Sequence, residues 1–323
     1  MRALRLDGDG LRLVHDEPEP LLEVNDARMK VRLAGICQTD LEVVRGYKGF
    51  QGILGHEFVA ELVEDAGAWH AGQRVVGEIN IGCSQCDLCR TGVASQCHQR
   101  RALGIVDYPG AFADYMRLPI HNLHAVSDSI SDEAAVFTEP LAAALQILEC
   151  VPIQPSQRVV LIGAGKLGLL CAQVLKQIGC ELIVLARQAR SLACLSAWGI
   201  EAVDLRKVAW ETRIAPASAD VVVDCTGNAE GFAAALDIVR PRGTILLKST
   251  YADVPVANLT RIVVDELRVI GSRCGPFAPA LRLLASGAVD VRTMTERIYP
   301  LDEAETAFDH AAGRGVLKVL LRP

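Results

Sequence analysis

Hydrophobic and polar positions follow two different patterns along the chain. Through residue 125, short alternating or apolar runs such as Met29–Leu33, Glu57–Val63 and Arg74–Ile79 are separated by Gly, Asp and Asn. Such runs are typical of β-strands joined by turns. No apolar run with helical spacing extends there beyond about two turns. We therefore predict that this part of the chain is rich in β-structure.

The pattern changes after Ser131. The segment Thr138–Cys150 begins with a good N-cap residue, has Pro140 in its first turn and carries apolar residues at helical spacing, so it is predicted to be a helix. Pro152 and Pro155 then interrupt the chain before a different type of pattern begins.

Strands and helices alternate beyond Pro155. The predicted strands are Arg158–Ile162, Leu182–Leu185, Val221–Cys225 and Thr244–Leu247, and the predicted helices between them are Lys166–Ile178, Ser191–Trp198 and Gly231–Val239. This alternation predicts an α/β fold with a doubly wound parallel sheet. A short helix, Leu301–Ala312, and a final strand, Leu317–Leu321, are predicted near the end.

Composition limits the class of protein. A chain of 323 residues, 50% hydrophobic and 22% charged, predicts two folded domains. The net charge of −6 gives no support for nucleic-acid binding. The first apolar runs are short and broken by charges, so we expect neither a secretory signal nor a membrane span, and a cytoplasmic location. An odd count of 11 cysteines argues against a disulfide scaffold and favours metal binding or chemistry.

A glycine-rich turn follows the predicted strand Arg158–Ile162. Gly163, Gly165 and Gly168 have the G-x-G-x-x-G spacing of dinucleotide-binding folds. The first glycine permits the tight turn, the second lets a pyrophosphate approach the backbone, and the third lets the helix pack on the strand. The helix N-terminus at Lys166 and Leu167 supplies N–H groups and a positive dipole end. Similar turns also serve packing alone, but this context favours dinucleotide binding.

The end of the next strand bears on the choice between NAD and NADP. An Asp or Glu at this position binds the adenosine ribose of NAD, whereas here the strand ends in Leu185, Ala186 and Arg187, with Arg190 close behind. The missing acid and the added arginines favour NADP over NAD. The alternative is that both arginines are solvated surface residues and that the protein uses either cofactor.

Four cysteines are concentrated within fifteen residues. Cys83, Cys86, Cys89 and Cys97 can surround Zn²⁺ tetrahedrally, and four thiolates without an open position indicate a structural site. An iron–sulfur cluster also uses four cysteines, although its usual spacings differ. Four unconnected thiols are the remaining alternative.

A second candidate metal site is dispersed along the chain. Cys37, His56 and Glu139 come from separate segments, and one thiolate, one imidazole and one carboxylate suit an open zinc site with water or substrate as the fourth ligand. By residue type alone, the cysteine also suits the core, the histidine an ordinary polar position and the glutamate the first turn of a helix.

These motifs together resemble those of the zinc-containing medium-chain alcohol dehydrogenase superfamily, especially its polyol and sorbitol dehydrogenase-like branch. The sequences GICQTD, GHE and EPL, the four-cysteine segment, the glycine turn and the terminal strand occur in family order over the whole chain. The resemblance implies a GroES-like β-rich catalytic domain over residues 1–145, completed by 296–323. It also implies a Rossmann nucleotide-binding domain over residues 146–295.

The resemblance also implies roles for the metal ligands. Cys37 and His56 correspond to catalytic zinc ligands, and Glu139 in the EPL turn resembles the carboxylate that the polyol branch uses. Glu57 corresponds to the adjacent acid, which binds zinc directly or through water. Which of the two glutamates is the third ligand in the resting state stays open. The four clustered cysteines correspond to the structural zinc site.

Three further positions near Cys37 can be compared with the family. Asp40 resembles the carboxylate that orients the zinc-bound histidine. Thr39 corresponds to the hydroxyl that receives the alcohol proton. Members often have histidine where this chain has Glu42, so the proton relay is expected to run from the cofactor ribose directly to water.

The implied activity is reversible oxidation of a small alcohol to a carbonyl compound, with hydride transferred to NAD(P). Thr226, Lys248 and Arg273 are candidates for the nicotinamide site, although they also suit loop packing. Two alternatives are a zinc-altered reductase of activated double bonds and a non-catalytic nucleotide-binding protein on the same fold. Apolar strand residues near 264–270 suggest pairing into a homodimer or homotetramer.

Overall fold

The computed structural model describes residues 1–251 and 258–323, which form two compact units. The first unit comprises Met1–Glu139, Phe277–Gly287 and Val291–Pro323, and the second comprises Pro140–Pro276 and Ala288–Asp290. These bounds differ from the predicted division at 145/146 and 295/296. Residues 140–145 belong to the second unit, and Phe277–Gly287 belongs to the first, where the ring of Phe277 stacks on His124 with centroids 5.3 Å apart.

The described strands are β1 (Ala3–Asp7), β2 (Gly10–Val14), β3 (Asp26–Ile36), β4 (Gly52–Ile53), β5 (Glu57–Leu62), β6 (Arg74–Gly77), β7 (Asn80–Ile81), β8 (Arg101–Ala102), β9 (Tyr115–Pro119), β10 (Leu123–Ala125), β11 (Arg158–Ile162), β12 (Glu181–Ala186), β13 (Glu201–Asp204), β14 (Ala219–Asp224), β15 (Val239–Leu247), β16 (Arg268–Gly271), β17 (Thr295–Pro300) and β18 (Lys318–Arg322). The described α-helices are α1 (Gln38–Val44), α2 (Asp87–Arg90), α3 (Asp132–Ala135), α4 (Thr138–Cys150), α5 (Lys166–Ile178), α6 (Ala189–Ala197), α7 (Ala229–Ile238), α8 (Leu259–Val264), α9 (Phe277–Ala285) and α10 (Ala304–Ala311).

The first unit is built on a mainly antiparallel sheet with β3 near its centre. The strand order is β10-β6-β5-β3-β18-β17, and β9 also pairs with β3. Along the first part of β3, buried Met29 and Val31 alternate with exposed Lys30 and Arg32, because successive side chains point to opposite faces. From Leu33 to Ile36 every residue is buried. The strand therefore ends in the interior of the unit, which fixes the position of the residue that follows it.

The second unit is built on a parallel sheet in the order β13-β12-β11-β14-β15-β16. Helices connect most of its successive strands, as the alternating pattern predicts. The neighbours of β11 are β12 and β14, so the strand order reverses there, and the carboxyl ends of these strands form the edge where α/β sheets bind ligands. The predicted parallel α/β sheet is confirmed.

The sequence prediction did not name β13 or α8 in the second unit, or α9 in the first. The expectation of a strand near 264–270 is wrong at its start, because Val264 is the last residue of α8 and the strand begins at Arg268. Among the described strands β16 pairs with β15 alone, so it lies at the edge of the described sheet. None of the described helices is long and apolar enough to cross a membrane.

Candidate active site

Cys37, His56 and Glu57 form a cluster of potential metal ligands in the first unit. Cys37 follows the buried end of β3 and is the N-cap of α1, whereas His56 directly precedes β5 and Glu57 begins it. One potential ligand atom from each lies within 4.8 Å of the other two. His56 and Glu57 are buried, and Cys37 is partly exposed. A thiolate, an imidazole and a carboxylate are ligands that suit Zn²⁺, and the partial exposure of Cys37 suits access from outside.

Asp40 connects the first two members of this cluster. Its fully buried carboxylate accepts a hydrogen bond from the backbone N–H of Cys37 at 2.8 Å, and its other oxygen lies 3.2 Å from Nδ1 of His56. In the neutral ring, a proton on Nδ1 facing this carboxylate leaves the lone pair on Nε2. Burial opposes the charged form of His56, but the attraction of Asp40 and hydrogen bonds with Asp40 and Cys37 raise its pKa well above the usual value.

Glu57 forms a buried ion pair with Lys318, a residue that the sequence prediction did not single out. Oε2 of Glu57 accepts a hydrogen bond from Nζ of Lys318, while Oε1 has no hydrogen-bond partner among the described residues. Burial lowers the pKa of Lys318, but attraction to Glu57 and Cys37 outweighs it and keeps that pKa above its usual value. Burying a carboxylate oxygen without a hydrogen-bond partner costs free energy. A cation bound beside Oε1 would offset that cost.

Glu139 is near this cluster, although it is not a member of the three-residue group found among the described residues. It is partly buried in the first turn of α4, and its charge adds to the attraction that raises the pKa of Lys318. The structure thus brings Glu57 into the group with Cys37 and His56, while Glu139 is near enough for its charge to attract Lys318.

Thr39 lies in the first turn of α1, next to the cluster. Its Oγ1 is 3.9 Å from Sγ of Cys37 and is partly exposed. One turn further along, the carboxylate of Glu42 accepts hydrogen bonds from Gln38 at 2.7 Å and from Arg45 at 2.9 Å. Glu42 is therefore held at the exposed surface of α1 by its neighbours on the same helix.

The four clustered cysteines also converge in the structure. One ligand atom from each of Cys83, Cys86, Cys89 and Cys97 lies within 4.8 Å of the others. Backbone N–H groups donate to their sulfurs, from Cys83 to Cys97 at 3.3 Å and from Cys86 to Cys83 at 3.4 Å. Backbone donors at Gln85 and Cys86 are the main reason that the pKa of Cys83 falls to about 6. These N–H donors favour the thiolate form of Cys83, which is the form in which a cysteine binds a metal.

The glycine turn has the geometry that a dinucleotide site requires. Gly163 follows β11 with φ of +92°, a conformation that favours glycine. A Cβ on Gly168 would lie 2.0 Å from the carbonyl oxygen of Gly163, whereas no atom of the described residues lies within 4 Å of a Cβ built on Gly165. The first and third glycines are therefore needed for the turn itself, and the space above Gly165, at the N-cap of α5, is open.

The edge of the sheet near Arg187 carries an acid that sequence reasoning missed. Asp204 ends β13 and pairs in register with Ala186 at the end of β12. Its carboxylate accepts two hydrogen bonds from Arg206, at 2.8 and 2.7 Å, and the pKa of Asp204 is lowered to about 2, chiefly by these bonds. Arg187 and Arg190 are exposed. The charge of Asp204 is thus already balanced by Arg206.

The three candidate nicotinamide residues make hydrogen bonds within the second unit. Oγ1 of Thr226 donates to Asp224 at 2.7 Å. Nζ of Lys248, which is buried, donates to the carbonyl of Ala143 at 2.6 Å and to that of Arg273 at 3.1 Å. Lys248 therefore lies next to Arg273, and its ammonium group donates hydrogen bonds to backbone carbonyls.

Two family models match the chain. The model described as the alcohol dehydrogenase GroES-like domain matches residues 23–128, and the one described as zinc-binding dehydrogenase matches residues 167–286. Between them they include Cys37, His56, the four clustered cysteines and most of the second unit.

Several similar proteins match over nearly the whole chain. A sorbitol dehydrogenase of Halalkalibacterium halodurans is 29% identical over 98% of this chain and 97% of its own length. A D-arabitol-phosphate dehydrogenase of Enterococcus avium is 29% identical, over 91% of this chain and 88% of its own. Among solved structures, a protein of Sinorhizobium meliloti 1021 described as a zinc-binding dehydrogenase, with bound NADP, is 30% identical. It covers 100% of this chain and 99% of its own, with a TM-score of 0.89.

Proposed function

The chain belongs to the zinc-containing medium-chain alcohol dehydrogenase superfamily, in its polyol dehydrogenase-like branch, and we propose that Cys37 and His56 hold its catalytic zinc together with Glu57 or Glu139. The protein is an oxidoreductase that transfers hydride between an alcohol or carbonyl substrate and a nicotinamide cofactor, with a GroES-like and a Rossmann domain. The single observation that carries the proposed site is the convergence of Cys37 and His56 on one point, with Asp40 bonded to both segments.

The chain's own residues fit a zinc ion at this place. Cys37 and His56 supply a thiolate and an imidazole. The carboxylate comes from Glu57, whose Oε1 has no hydrogen-bond partner among the described residues, or from Glu139 in α4. When bound, zinc supplies a Lewis acid that stabilises negative charge on the substrate oxygen. Asp40 lies beside Nδ1 of His56 and would hold the ring in one orientation, so that Nε2 would be the nitrogen available to a metal.

Thr39 is proposed as the residue that receives the proton of the alcohol. Its hydroxyl is beside Cys37 and partly exposed, so it can reach both the substrate oxygen and the surroundings. Glu42, whose Oε1 accepts hydrogen bonds from Gln38 and Arg45, stands where members of the family often have the histidine that ends the proton relay. We therefore propose that the proton passes from the cofactor ribose directly to water.

The four clustered cysteines are proposed to hold a structural zinc ion. All four sulfurs converge, and four thiolates leave no position for a substrate. A Cβ on Gly82 would lie 2.7 Å from Sγ of Cys89, so glycine there lets this segment close around the site.

We further propose that the cofactor is NADP in preference to NAD. The pyrophosphate would lie over Gly165 at the N-terminus of α5, where the space is open and Lys166 and Leu167 begin the helix. Arg187 and Arg190 offer cations for a 2′-phosphate, while Asp204 is already paired with Arg206.

The assembly and location are also proposals. In the second unit, the edge strand β16 exposes Val269, and α8 exposes Leu259, Val263 and Val264, which suits pairing of two copies into a homodimer or homotetramer. Eleven cysteines that form no disulfide suit a reducing compartment, which we take to be the cytoplasm.

A panel of polyols, simple alcohols and their carbonyl counterparts, assayed with NAD and NADP on metal-quantified protein, tests the function. Cys37→Ser is expected to lower turnover by at least about 1,000-fold, because it removes the ligand that converges with His56. Cys180→Ser is the matched control, since that thiol lies in the second unit and contacts the carbonyl of Leu175. Full activity in Cys37→Ser would overturn the zinc assignment.

A further inference from the structure

Cys225 lies next to the glycine turn of the second unit. It follows the last residue of β14, and its backbone N–H donates a hydrogen bond at 2.9 Å to the carbonyl of Ile162, which ends β11. A Cβ on Gly163 would lie 3.1 Å from the carbonyl carbon of Cys225, and one on Gly168 would lie 3.5 Å from its Cβ. Cys225 therefore packs against both the first and the third glycine of the turn.

Cys171 lies on the same side of α5 as Gly168. The two positions are three residues apart in the helix, so they are neighbours on one face, with Cβ positions about 5–6 Å apart. Because a Cβ on Gly168 would contact the Cβ of Cys225, this spacing places Cys171 one helical turn from that contact. Cys171 is completely buried, and Cys225 is partly buried. The two cysteines are therefore neighbours between α5 and the end of β14.

A hydrogen bond between the two thiols changes the acidity of both. Burial opposes the ionisation of Cys171, but this hydrogen bond and the charge of Lys248 outweigh it and lower the pKa of Cys171. The same hydrogen bond is the main reason that the pKa of Cys225 is raised well above its usual value, and burial is the second. One sulfur of the pair is thus favoured as a thiolate, while the other keeps its proton and donates the hydrogen bond.

Lys248 supplies a fixed positive charge near this pair. Its buried Nζ donates to the carbonyls of Ala143 and Arg273, at 2.6 and 3.1 Å, and to Oγ of Ser272 at 3.1 Å. All three acceptors are neutral, so these bonds hold the ammonium group in place without cancelling its charge. A nearby cation favours the thiolate, which is the form of cysteine that reacts with oxidants.

We propose that Cys171 and Cys225 form a redox-sensitive pair, which hydrogen peroxide closes to a disulfide and which then weakens binding of a dinucleotide at the glycine turn. The oxidation itself is independent of the proposed function, whereas its effect on the cofactor rests on the proposed cofactor site. If the two cysteines served only to fill the core, neither peroxide nor a reductant would change cofactor affinity through them.

A disulfide at this place is expected to move the turn. Two bonded sulfurs lie closer together than two thiols in contact, so α5 and the end of β14 must approach each other. A Cβ on Gly168 would already lie 2.0 Å from the carbonyl oxygen of Gly163, which shows how little space separates the helix from the turn. The shift therefore reaches the N-terminus of α5 at Gly165, where the pyrophosphate is proposed to bind.

The reaction is balanced by one molecule of hydrogen peroxide. The thiolate attacks one peroxide oxygen, the O–O bond breaks, and the departing hydroxide takes up a proton to become water. The second sulfur then loses its proton and displaces hydroxide from the resulting sulfenic acid, so that the S–S bond forms and a second water is released. The two thiols lose two electrons, and the peroxide gains them to give two molecules of water.

Peptide mapping detects the proposed bond directly. Trypsin cuts the chain so that residues 167–176 and 214–242 form separate peptides, and each contains a single cysteine, Cys171 or Cys225. The intact protein is treated with hydrogen peroxide, and its remaining thiols are alkylated. These two peptides should then be recovered as one disulfide-linked species, which dithiothreitol should separate again.

Binding of NADP, measured by titration calorimetry, tests the effect on the turn. The Kd is expected to rise about tenfold or more after peroxide treatment of the wild-type chain and to return after reduction with dithiothreitol. Cys171→Ala and Cys225→Ala should each show the same Kd before and after peroxide treatment, because neither can form the bond. Cys180→Ala, which removes another thiol of the second unit, is the matched control and should stay as sensitive to peroxide as the wild-type chain.

The outcomes separate this proposal from the proposed function. An untreated wild-type chain that binds neither NADP nor NAD would contradict the proposed cofactor site, whereas the linked peptides would still be found. Absence of the linked peptides after peroxide treatment would overturn the redox pair. The proposal also fails if the linked protein keeps its cofactor affinity, or if Cys171→Ala or Cys225→Ala loses affinity as the wild-type chain does. Each variant alone removes the bond, so one folded variant is enough, and the peptide map of the wild-type chain needs neither.

Discussion

Oδ1 of Asp40 lies 3.2 Å from Nδ1 of His56, and both side chains are almost completely buried. The other oxygen of the same carboxylate accepts the backbone N–H of Cys37. One residue therefore fixes both a histidine that precedes β5 and a cysteine that follows β3. Because the two segments are distant in sequence, this carboxylate determines where the two proposed ligands meet.

Asp40→Asn tests this arrangement. The amide has only one acceptor oxygen, so either His56 or the N–H of Cys37 loses its partner, and the negative charge beside the ring is lost. Zinc affinity or turnover is expected to fall about 10- to 100-fold. The measurement is the rate of zinc transfer to a chelator together with kcat. Asp309→Asn, an exposed position on α10, is the control, and metal release at the wild-type rate in Asp40→Asn would contradict the role.

The glycine turn allows two alanine substitutions with opposite expected effects. Gly168→Ala places a methyl group 2.0 Å from the carbonyl of Gly163, so it should destabilise the fold by about 1–3 kcal/mol. Gly165→Ala contacts nothing among the described residues within 4 Å, so stability should change little. The cofactor's Kd should nevertheless rise about tenfold or more, because the methyl occupies the space proposed for the pyrophosphate. Thermal unfolding and cofactor titration measure the two effects, and unchanged cofactor affinity in Gly165→Ala would argue against binding at this turn.

Cofactor preference is tested by Ala186→Asp combined with Arg187→Ala. The new acid stands where a ribose hydroxyl of NAD would be bound, and the lost arginine removes a partner for a 2′-phosphate. The ratio of kcat/KM for NAD to that for NADP is expected to increase about tenfold or more. Arg213→Ala, which removes an exposed arginine of the same unit, should leave the ratio unchanged. If the double variant keeps the wild-type ratio, the phosphate assignment is incorrect.

The elements with a strong periodic pattern were predictable from sequence. Helices Thr138–Cys150 and Lys166–Ile178 and strand Arg158–Ile162 occur with the predicted bounds, because capping residues and prolines or glycines mark their ends. β13 is short and only partly apolar, and its pairing with β12 supplies the stability that its sequence does not indicate.

The candidate site was predictable only in part. Cys37, His56 and the four cysteines could be predicted because each lies in a short sequence motif that includes the metal-binding residue itself. The pairing of Lys318 with Glu57 depends on the register of β5, β3 and β18, which no local pattern contains. The same is true of Asp204, whose relation to the end of β12 follows from strand pairing rather than from sequence distance.

Cys89→Ser tests the separation of the two metal sites. The serine removes one of four converging ligands, so the four-cysteine segment should lose its zinc while Cys37 and His56 keep theirs. The segment around Cys89 contains two short helices, α2 and a 3₁₀ turn at Ala94–Gln96, so the proposed metal would supply much of its closure. Without the metal it should open more often, and proteolytic cleavage within residues 83–97 should accelerate about tenfold or more. Metal analysis and limited proteolysis measure both effects, with Cys150→Ser as a control outside the segment. Loss of the Cys37-dependent metal as well would show that the two sites are not independent.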